Sequence, residues 1–374
     1  MNADEAAPAL KILCNGRPLP REARSDVESV TVQEDLHALS MFTVTLYDNW
    51  DSPHKTLRWA DSELFEVGTD VEISLGYGGD LRRVMTGEVT GLEPAFTTDG
   101  LPMLTVRGYD YRHRLTRAQR TRTFSDTTDS AIAEELASKA GLGFAGPEAP
   151  TTTEATTKTE APTTTEATTK TEAGLAYVVQ NNQTDLEFLQ RRARLIGYEV
   201  HVRDKVLHFG PPQHGRPAKV TLHIGKGVSG FTPVLRALPQ VAEHSVRGWD
   251  VTLKEPVVST VTAGRESTTM GAASGPRQVG RTFGRAGSVS TGLSVPNQER
   301  ADQMARGQFD DMALTYITGT VECSGRPGIR AGEVVEIEGA GTRFSGTYYV
   351  VSVSHSMTVG NRYSTSLHVR RNAT

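Results

Sequence analysis

Only two cysteines, Cys14 and Cys323, occur in 374 residues, far apart and outside any CxxC spacing. That excludes a disulfide framework or a thiolate metal knuckle and fits free thiols in a reducing compartment. Aromatic residues are 6% of the chain and spread along it, too dispersed for the clustered platform that a carbohydrate-binding module presents. No apolar run approaches the ~18 residues of a membrane span, and the opening MNADEAAPAL has neither the basic region nor the apolar run of a signal peptide. The expectation is a chain made in the cytoplasm without a signal peptide and with no membrane segment. A net charge of -4 leaves no basic footprint for nucleic acid.

Chemical motifs are also scarce. GxxxxGK[ST], HExxH and GxSxG do not occur, so phosphate-loop, zincin and nucleophile-elbow chemistry has no support. Residues 225–230, GKGVSG, spell GxGxxG, and Asp250 follows about twenty residues on. A dinucleotide site needs a helix after those glycines, whereas Phe231-Thr232-Pro233-Val234 reads as extended chain. A Gly-rich strand connection is expected instead. His201 and His208 can face each other across a hairpin, but no Cys or acidic side chain stands at ligand spacing, which favours a solvated pair over a metal site. Glu134 and Glu135 are adjacent on a helical stretch and point apart, as on a solvated face. No catalytic residue, cofactor or metal is expected.

What the chain does contain is β-strand patterning around one well-marked helix. Its length gives room for roughly two or three domains, and the abundance of Gly, Val and Thr with short helical stretches favours a mainly β protein. In residues 184–209, Thr184 and Glu187 form a capping box, and Leu186, Leu189, Ala193 and Ile196 make one apolar stripe widened by Phe188 and Leu195. Gly197 is placed to close the helix in the left-handed conformation. Tyr198, Val200 and Val202 then alternate with polar residues, Asp204-Lys205 turns the chain, and 206–209 return before Gly210-Pro211-Pro212. Arg191, Arg192 and Arg194 read as a basic patch on the exposed side of this helix, open to an acidic partner.

Before it, residues 27–32, 42–46, 71–75 and 104–106 read as strands with Gly-rich turns, as in a small barrel. A helix is expected over 125–141, with Ile132, Leu136 and Ala140 on one face and Gly141 as its stop. TTTEATTKTEA at 151–161 recurs letter for letter at 163–173, a stretch with almost nothing to bury that reads as an exposed insertion. Deleting 150–173 is expected to leave folding and assembly intact. Residues 218–224 and 229–238 read as strands, 264–296 as a long aperiodic loop, and 297–313 as an amphipathic helix burying Ala301, Met304, Ala305, Phe309 and Met312. Strands close the chain at 315–323, 333–337, 347–353 and 363–369. One pentapeptide occurs in two forms: Val106 with Arg107, Gly108, Tyr109 and Asp110, and Val246 with Arg247, Gly248, Trp249 and Asp250. Both border a β-rich block, so a duplicated barrel is the economical account.

The DxxFLxRRAxxIGYE block and its hairpin, the two pentapeptides, and residues 344–355 with Tyr363-Ser364-Thr365 and Arg370-Arg371-Asn372 together resemble the late control protein D family. Members of that family are baseplate hubs of contractile phage tails, similar to the N-terminal part of VgrG proteins and to hubs of extracellular contractile injection systems. The resemblance spans most of the chain apart from the Thr repeat. It implies two similar small β-barrels flanking a helix-plus-hairpin middle domain: a first barrel at 1–115, an α+β middle at 116–215 carrying the 150–173 insertion, and a second barrel at 216–374 with an inserted loop and helix at 260–314. It also implies a homotrimeric, pseudo-sixfold ring adapting a trimeric spike to a hexameric inner tube. Its partners would be a separate spike protein, the tube protein and other baseplate components. VgrG proteins run on beyond the position of Arg371, which is what points to a separate spike. A tail-associated wall hydrolase or a carbohydrate-binding module is the alternative. Tail machines and cell-encoded injection systems are not separated by these motifs.

Overall fold

In the computed structural model, which describes residues 7–51, 56–96, 100–147, 172–251, 253–292, 295–358, 360 and 362–374, alternating strands at the start wrap around one core. They are β1 (Pro8–Cys14), a short β2 (Arg17–Pro18), β3 (Val27–Asp35) after the single-turn helix α1 (Arg21–Asp26), and β4 (Met41–Tyr47). A small ribbon of β5 (Trp50–Asp51) and β6 (Thr56–Leu57) leads to β7 (Asp70–Tyr77), β8 (Asp80–Ala95) and β9 (Met103–Tyr109). Six of them run antiparallel in the order β1-β7-β8-β9-β4-β3. The period-two alternation explains this block: Val30 and Val32 of β3, Phe42, Val44 and Leu46 of β4, and Ile73 and Leu75 of β7 all point into the same core.

The middle begins with β10 (Arg120–Thr127), α2 (Asp129–Lys139) and β11 (Gly143–Ala145), and continues with β12 (Leu175–Gln183), α3 (Asp185–Ile196), β13 (Glu199–Arg203) and β14 (Val206–Gly210). The capping box is in place: Glu187 N–H donates to the Thr184 hydroxyl at 3.2 Å, and Thr184 N–H to the Glu187 carboxylate at 2.8 Å. Gly197 closes α3 at φ 68°, and Asp204 and Lys205, at φ 52° and 64°, make the left-handed two-residue turn whose twist suits a tight hairpin. All of α3 and its hairpin therefore follows the sequence reading. Thr184→Ala should cost about 1 kcal/mol, seen as a lower urea midpoint at unchanged slope. The helix expected from 125 starts at Asp129, because β10 continues to Thr127 to pair with β12. Glu134 and Glu135 are exposed on it.

Most of the Thr repeat lies outside the described residues. Its last two residues do not: Ala173 is buried, and the Glu172 carboxylate accepts from Ser130 N–H at 3.0 Å. The expendable stretch thus ends before Glu172, because those two residues are part of the packed unit.

The remaining elements are β15 (Val220–Ile224), β16 (Gly227–Leu235), β17 (Glu243–Asp250), β18 (Glu255–Thr262), α4 (Gly275–Phe283), β19 (Gly287–Ser290), α5 (Gln298–Leu314), β20 (Ile317–Ser324), β21 (Val334–Glu338), the single turn α6 (Gly341–Phe344), β22 (Gly346–Thr358) and β23 (Arg362–Arg371). Six of them close a barrel in the order β22-β21-β15-β16-β20-β23, with β23 returning to β22. Val321, Val335, Ile337, Tyr348, Val350 and Leu367 fill it. The GKGVSG stretch is the turn into β16, a strand, as expected.

Residues between β16 and β20 leave this barrel, so the insertion expected at 260–314 already includes β17. Its three-stranded sheet, β18-β17-β19, lies with α5 on the core of the middle unit, where Val246, Val257 and Val261 join Phe188, Leu189, Met304 and Phe309. The stretch 264–296 is not the aperiodic loop expected, since it contains α4 and β19. Few apolar residues mark α4; it is held by polar contacts instead, Gln278 accepting from the Tyr316 hydroxyl at 2.8 Å.

The two β-blocks are fused edge to edge. β22 pairs antiparallel with β3 from Ser352 opposite Asp35 to Thr358 opposite Ser29, giving one continuous 13-stranded sheet. His355 sits in this seam opposite Val32, with Nδ1 3.0 Å from both the Thr365 and Tyr363 hydroxyls. Burial pushes its pKa from 6.5 down to about 4. The unfolded chain therefore takes up this proton first as the pH falls, so the stability due to neutral His355 is present above pH 6.5 and lost on the way to pH 4. Unfolding free energy should drop by about 2 kcal/mol between pH 7 and pH 5 from this residue alone. Urea unfolding of wild type and His355→Gln at both pH values should show a smaller drop in the variant.

Candidate assembly interface

The two pentapeptides occupy different settings. Arg107, Gly108 and Tyr109 end β9 of the first block, and Asp110 caps the turn that follows. Asp110 accepts from Ser40 N–H at 3.1 Å and from Arg112 Nε at 2.8 Å. Arg112 is fully buried and also donates to the Asp35 carbonyl at 2.8 Å and the Val200 carbonyl at 3.3 Å. This ion pair therefore ties the first block to β13. Arg247, Gly248, Trp249 and Asp250 end β17, in the inserted sheet rather than in the second barrel. Asp250 accepts from Leu253 N–H at 3.0 Å at the hairpin tip. The pentapeptides are thus not equivalent positions of two barrels, and the pairing inferred from them is corrected. They share a close approach: a Cβ on Gly108 would run into Phe42 and the Glu88 carbonyl, and one on Gly248 into Val295.

The basic patch on α3 also divides. Arg191 and Arg194 are exposed, and Arg191 lies 5.8 Å from the Phe188 ring centre. Arg192 turns inward and pairs with Asp129 at 2.5 Å. Asp129, wholly buried at the start of α2, is also 2.8 Å from Arg300 of α5, whose side chain is 1% exposed. One carboxylate thus holds three helices together. Burial pulls the Arg300 guanidinium below its ordinary range, with Asp129 opposing. Sequence reading missed Asp129 and Arg300 because each looks like an ordinary polar residue near a helix start.

A second buried pair locks the two β-blocks. Arg330 reaches both Glu34 carboxylate oxygens at 2.9 Å, and Ala331 N–H donates to the same group at 2.9 Å. Burial alone would raise the Glu34 pKa; Arg330, with Arg203 behind it, outweighs that and holds it below the usual carboxylate range. Glu34, Asp110 and Asp129 are each paired with arginine, which suits cross-bracing.

The His201 and His208 rings stack at 4.7 Å with planes 5° apart. Ring lone pairs lie in the ring planes, and parallel planes do not meet on one ion. Among the described residues no group of three or more metal-type side chains occurs. The pair is half-buried against the second barrel, not solvated as expected.

The outward face of β18-β17-β19 is open and mixed, with an apolar strip beside exposed Glu243, Arg247, Thr260 and Thr262. Trp249, Val258 and Val289 are 54%, 48% and 51% exposed, with Val251 and Leu253 at the adjoining tip. Trp249 stands opposite Pro256, Arg247 opposite Val258 and Ser245 opposite Val289. α5 covers the other face. Exposed apolar strips with a polar surround are what a protein contact uses.

A family model described as the Alg8 N-terminal domain matches residues 4–359. The chain belongs to that family. Among solved structures, this Alg8 N-terminal domain is similar to the 43 kDa tail protein of prophage MuSo2 from Shewanella oneidensis, at 13% identity over 98% of both chains with a TM-score of 0.66. It is similar to a tail protein from Neisseria meningitidis MC58, at 13% identity over 98% of this chain and 97% of that one, with a TM-score of 0.67. An E. coli component of the type VI secretion system matches at 14% identity over 97% of this chain and 77% of that one, with a TM-score of 0.59. No curated protein matches the chain. At these identities what is shared is the fold, and it is a tail-protein fold, in keeping with the hub resemblance read from the sequence.

Proposed function

We propose that this chain is the hub of a contractile baseplate, a structural rather than an enzymatic component, built as a homotrimer. The observation that carries the proposal is the pair of six-stranded β-blocks fused side by side through β3 and β22. Three copies of a chain that presents two comparable blocks offer six positions around one axis. Such a ring meets a trimeric spike on one side and a hexameric inner tube on the other. The buried pairs Glu34–Arg330 and Asp110–Arg112 make each chain a stiff adaptor, and the open face around Trp249 offers contact area to neighbouring baseplate components. The fold shared with the phage tail proteins supports this reading. Light scattering should give a trimeric mass, and averaged electron images of the same peak should show six similar densities end-on. A chain that stays monomeric even when co-expressed with its spike would overturn the proposal.

A further inference from the structure

The middle unit meets the second barrel through the polar face of the β13–β14 hairpin. Three residues of β13 share it. Glu199 accepts from the Tyr349 hydroxyl at 2.6 Å, and Arg203 donates to the Ala331 carbonyl at 2.8 Å and lies 3.8 Å from Glu34. His201, between them, faces His208 of β14 directly across the hairpin. The His201 Nδ1 atom is buried and has no hydrogen-bond partner among the described residues.

The charges around the stack are mostly of one sign. Arg203 adjoins on the same strand, Arg112 approaches from the turn after β9, and Arg330 from the loop before β21. Their acidic neighbours are already engaged, Asp110 with Arg112 and Glu34 with Arg330. Asp204, at the hairpin turn near His208, is 3.0 Å from Arg83. Near Glu199 stand Asp311 of α5 and Arg370 of β23, and the His214 ring meets that of Tyr349 at 6.1 Å.

We propose that this joint is acid-operated: protons taken up by His201 and His208 place two stacked imidazolium rings among three guanidinium groups, and the hairpin parts from the barrel. Burial holds the His201 pKa well below its ordinary value, and His208, Arg203, Arg112 and Arg330 add to that. His208 is lowered by burial and Arg203 against the pull of Asp204. Both rings are therefore neutral while the joint is closed, and the stability they contribute is lost as the pH falls below the unfolded imidazole value of 6.5. Glu199 acts in the other direction. Burial raises it from 4.5 to about 7, so its contribution is complete below pH 4.5 and lost as the pH rises through 7. The joint is tightest between the two.

The test is hydrogen exchange of the 199–210 amides, corrected for intrinsic rates, in wild type and in His201→Phe/His208→Phe, which keeps a stacked pair that cannot take up protons. Glu199 is intact in both chains and tightens both as the pH falls, so the reading is their ratio: between about pH 7.5 and pH 5.5 the opening of these amides in wild type relative to the variant should rise roughly tenfold or more. His355 is unchanged in both chains, so its acid effect cancels. A ratio that is the same at both pH values overturns the proposal. Should the double variant fail to fold, NMR titration of the wild-type rings decides: a His201 pKa at or above 6.5 overturns it, and one well below supports it.

Discussion

An Asp129→Ala chain is expected to lose about 3–5 kcal/mol of stability. The carboxylate is wholly buried and holds Arg192 of α3 and Arg300 of α5. Removing it leaves two cations facing each other inside the middle core with only the Glu172 carboxylate nearby to oppose them, and their desolvation is no longer compensated. The remedy is apolar. Asp129→Leu with Arg192→Met and Arg300→Met should recover most of the loss, because a filled apolar site replaces a buried ion triad at little net cost. By contrast Arg194→Ala, on the exposed side of α3, should stay within about 0.5 kcal/mol. Urea unfolding of the three chains beside wild type separates these effects. An Asp129→Ala chain within about 1 kcal/mol of wild type would refute the bracing role.

Gly307→Val should cost more than about 3 kcal/mol. By intrinsic propensity a glycine inside a helix is a weak point that a side chain improves by a few tenths to about 1 kcal/mol. Here the sign reverses. A Cβ on Gly307 would overlap the backbone of Ile196 and Gly197, and one on Gly197 would overlap the backbone of Gly307. The end of α3 and the middle of α5 touch main chain to main chain, and no flexible side chain stands there to yield. Any substitution must push the helices apart and empty the contact of Ile196 with Met304 and Phe309 in one core. Thermal unfolding should show a large drop in midpoint, and crystallisable variants a wider α3–α5 crossing.

How much was legible depended on how local the cause was. The capping box, the left-handed Gly197 and the Asp204-Lys205 turn are decided within a few residues, so α3 and its hairpin were readable in full. Four of the six strands of the first β-block and the strands of the second barrel were readable from alternation, while β1 and β8 were not, and the amphipathic face of α5 was. Assignments that depend on distant partners were not. Arg192 and Arg194 look alike in sequence, and only the position of Asp129, 63 residues away, draws one inward. The second pentapeptide looks like the first, yet β17 is claimed by α5 and not by the barrel. α4 was hidden because its holding contacts are polar and come from Tyr316 and the C-terminal residues.

The pairing of β3 with β22 also sets an order of events during synthesis. β3 is complete early, yet its outer edge has no strand to bond until residues more than three hundred positions later emerge. Through that interval the first block carries a bare row of amide and carbonyl groups, the kind of edge that recruits strands from other chains. The Glu34 carboxylate waits beside it for Arg330 over the same interval. A charge facing an unfinished edge discourages the wrong strand and then becomes the anchor of the right one. Premature arrest of translation before β22 should therefore yield aggregates of the first block rather than a soluble half-molecule.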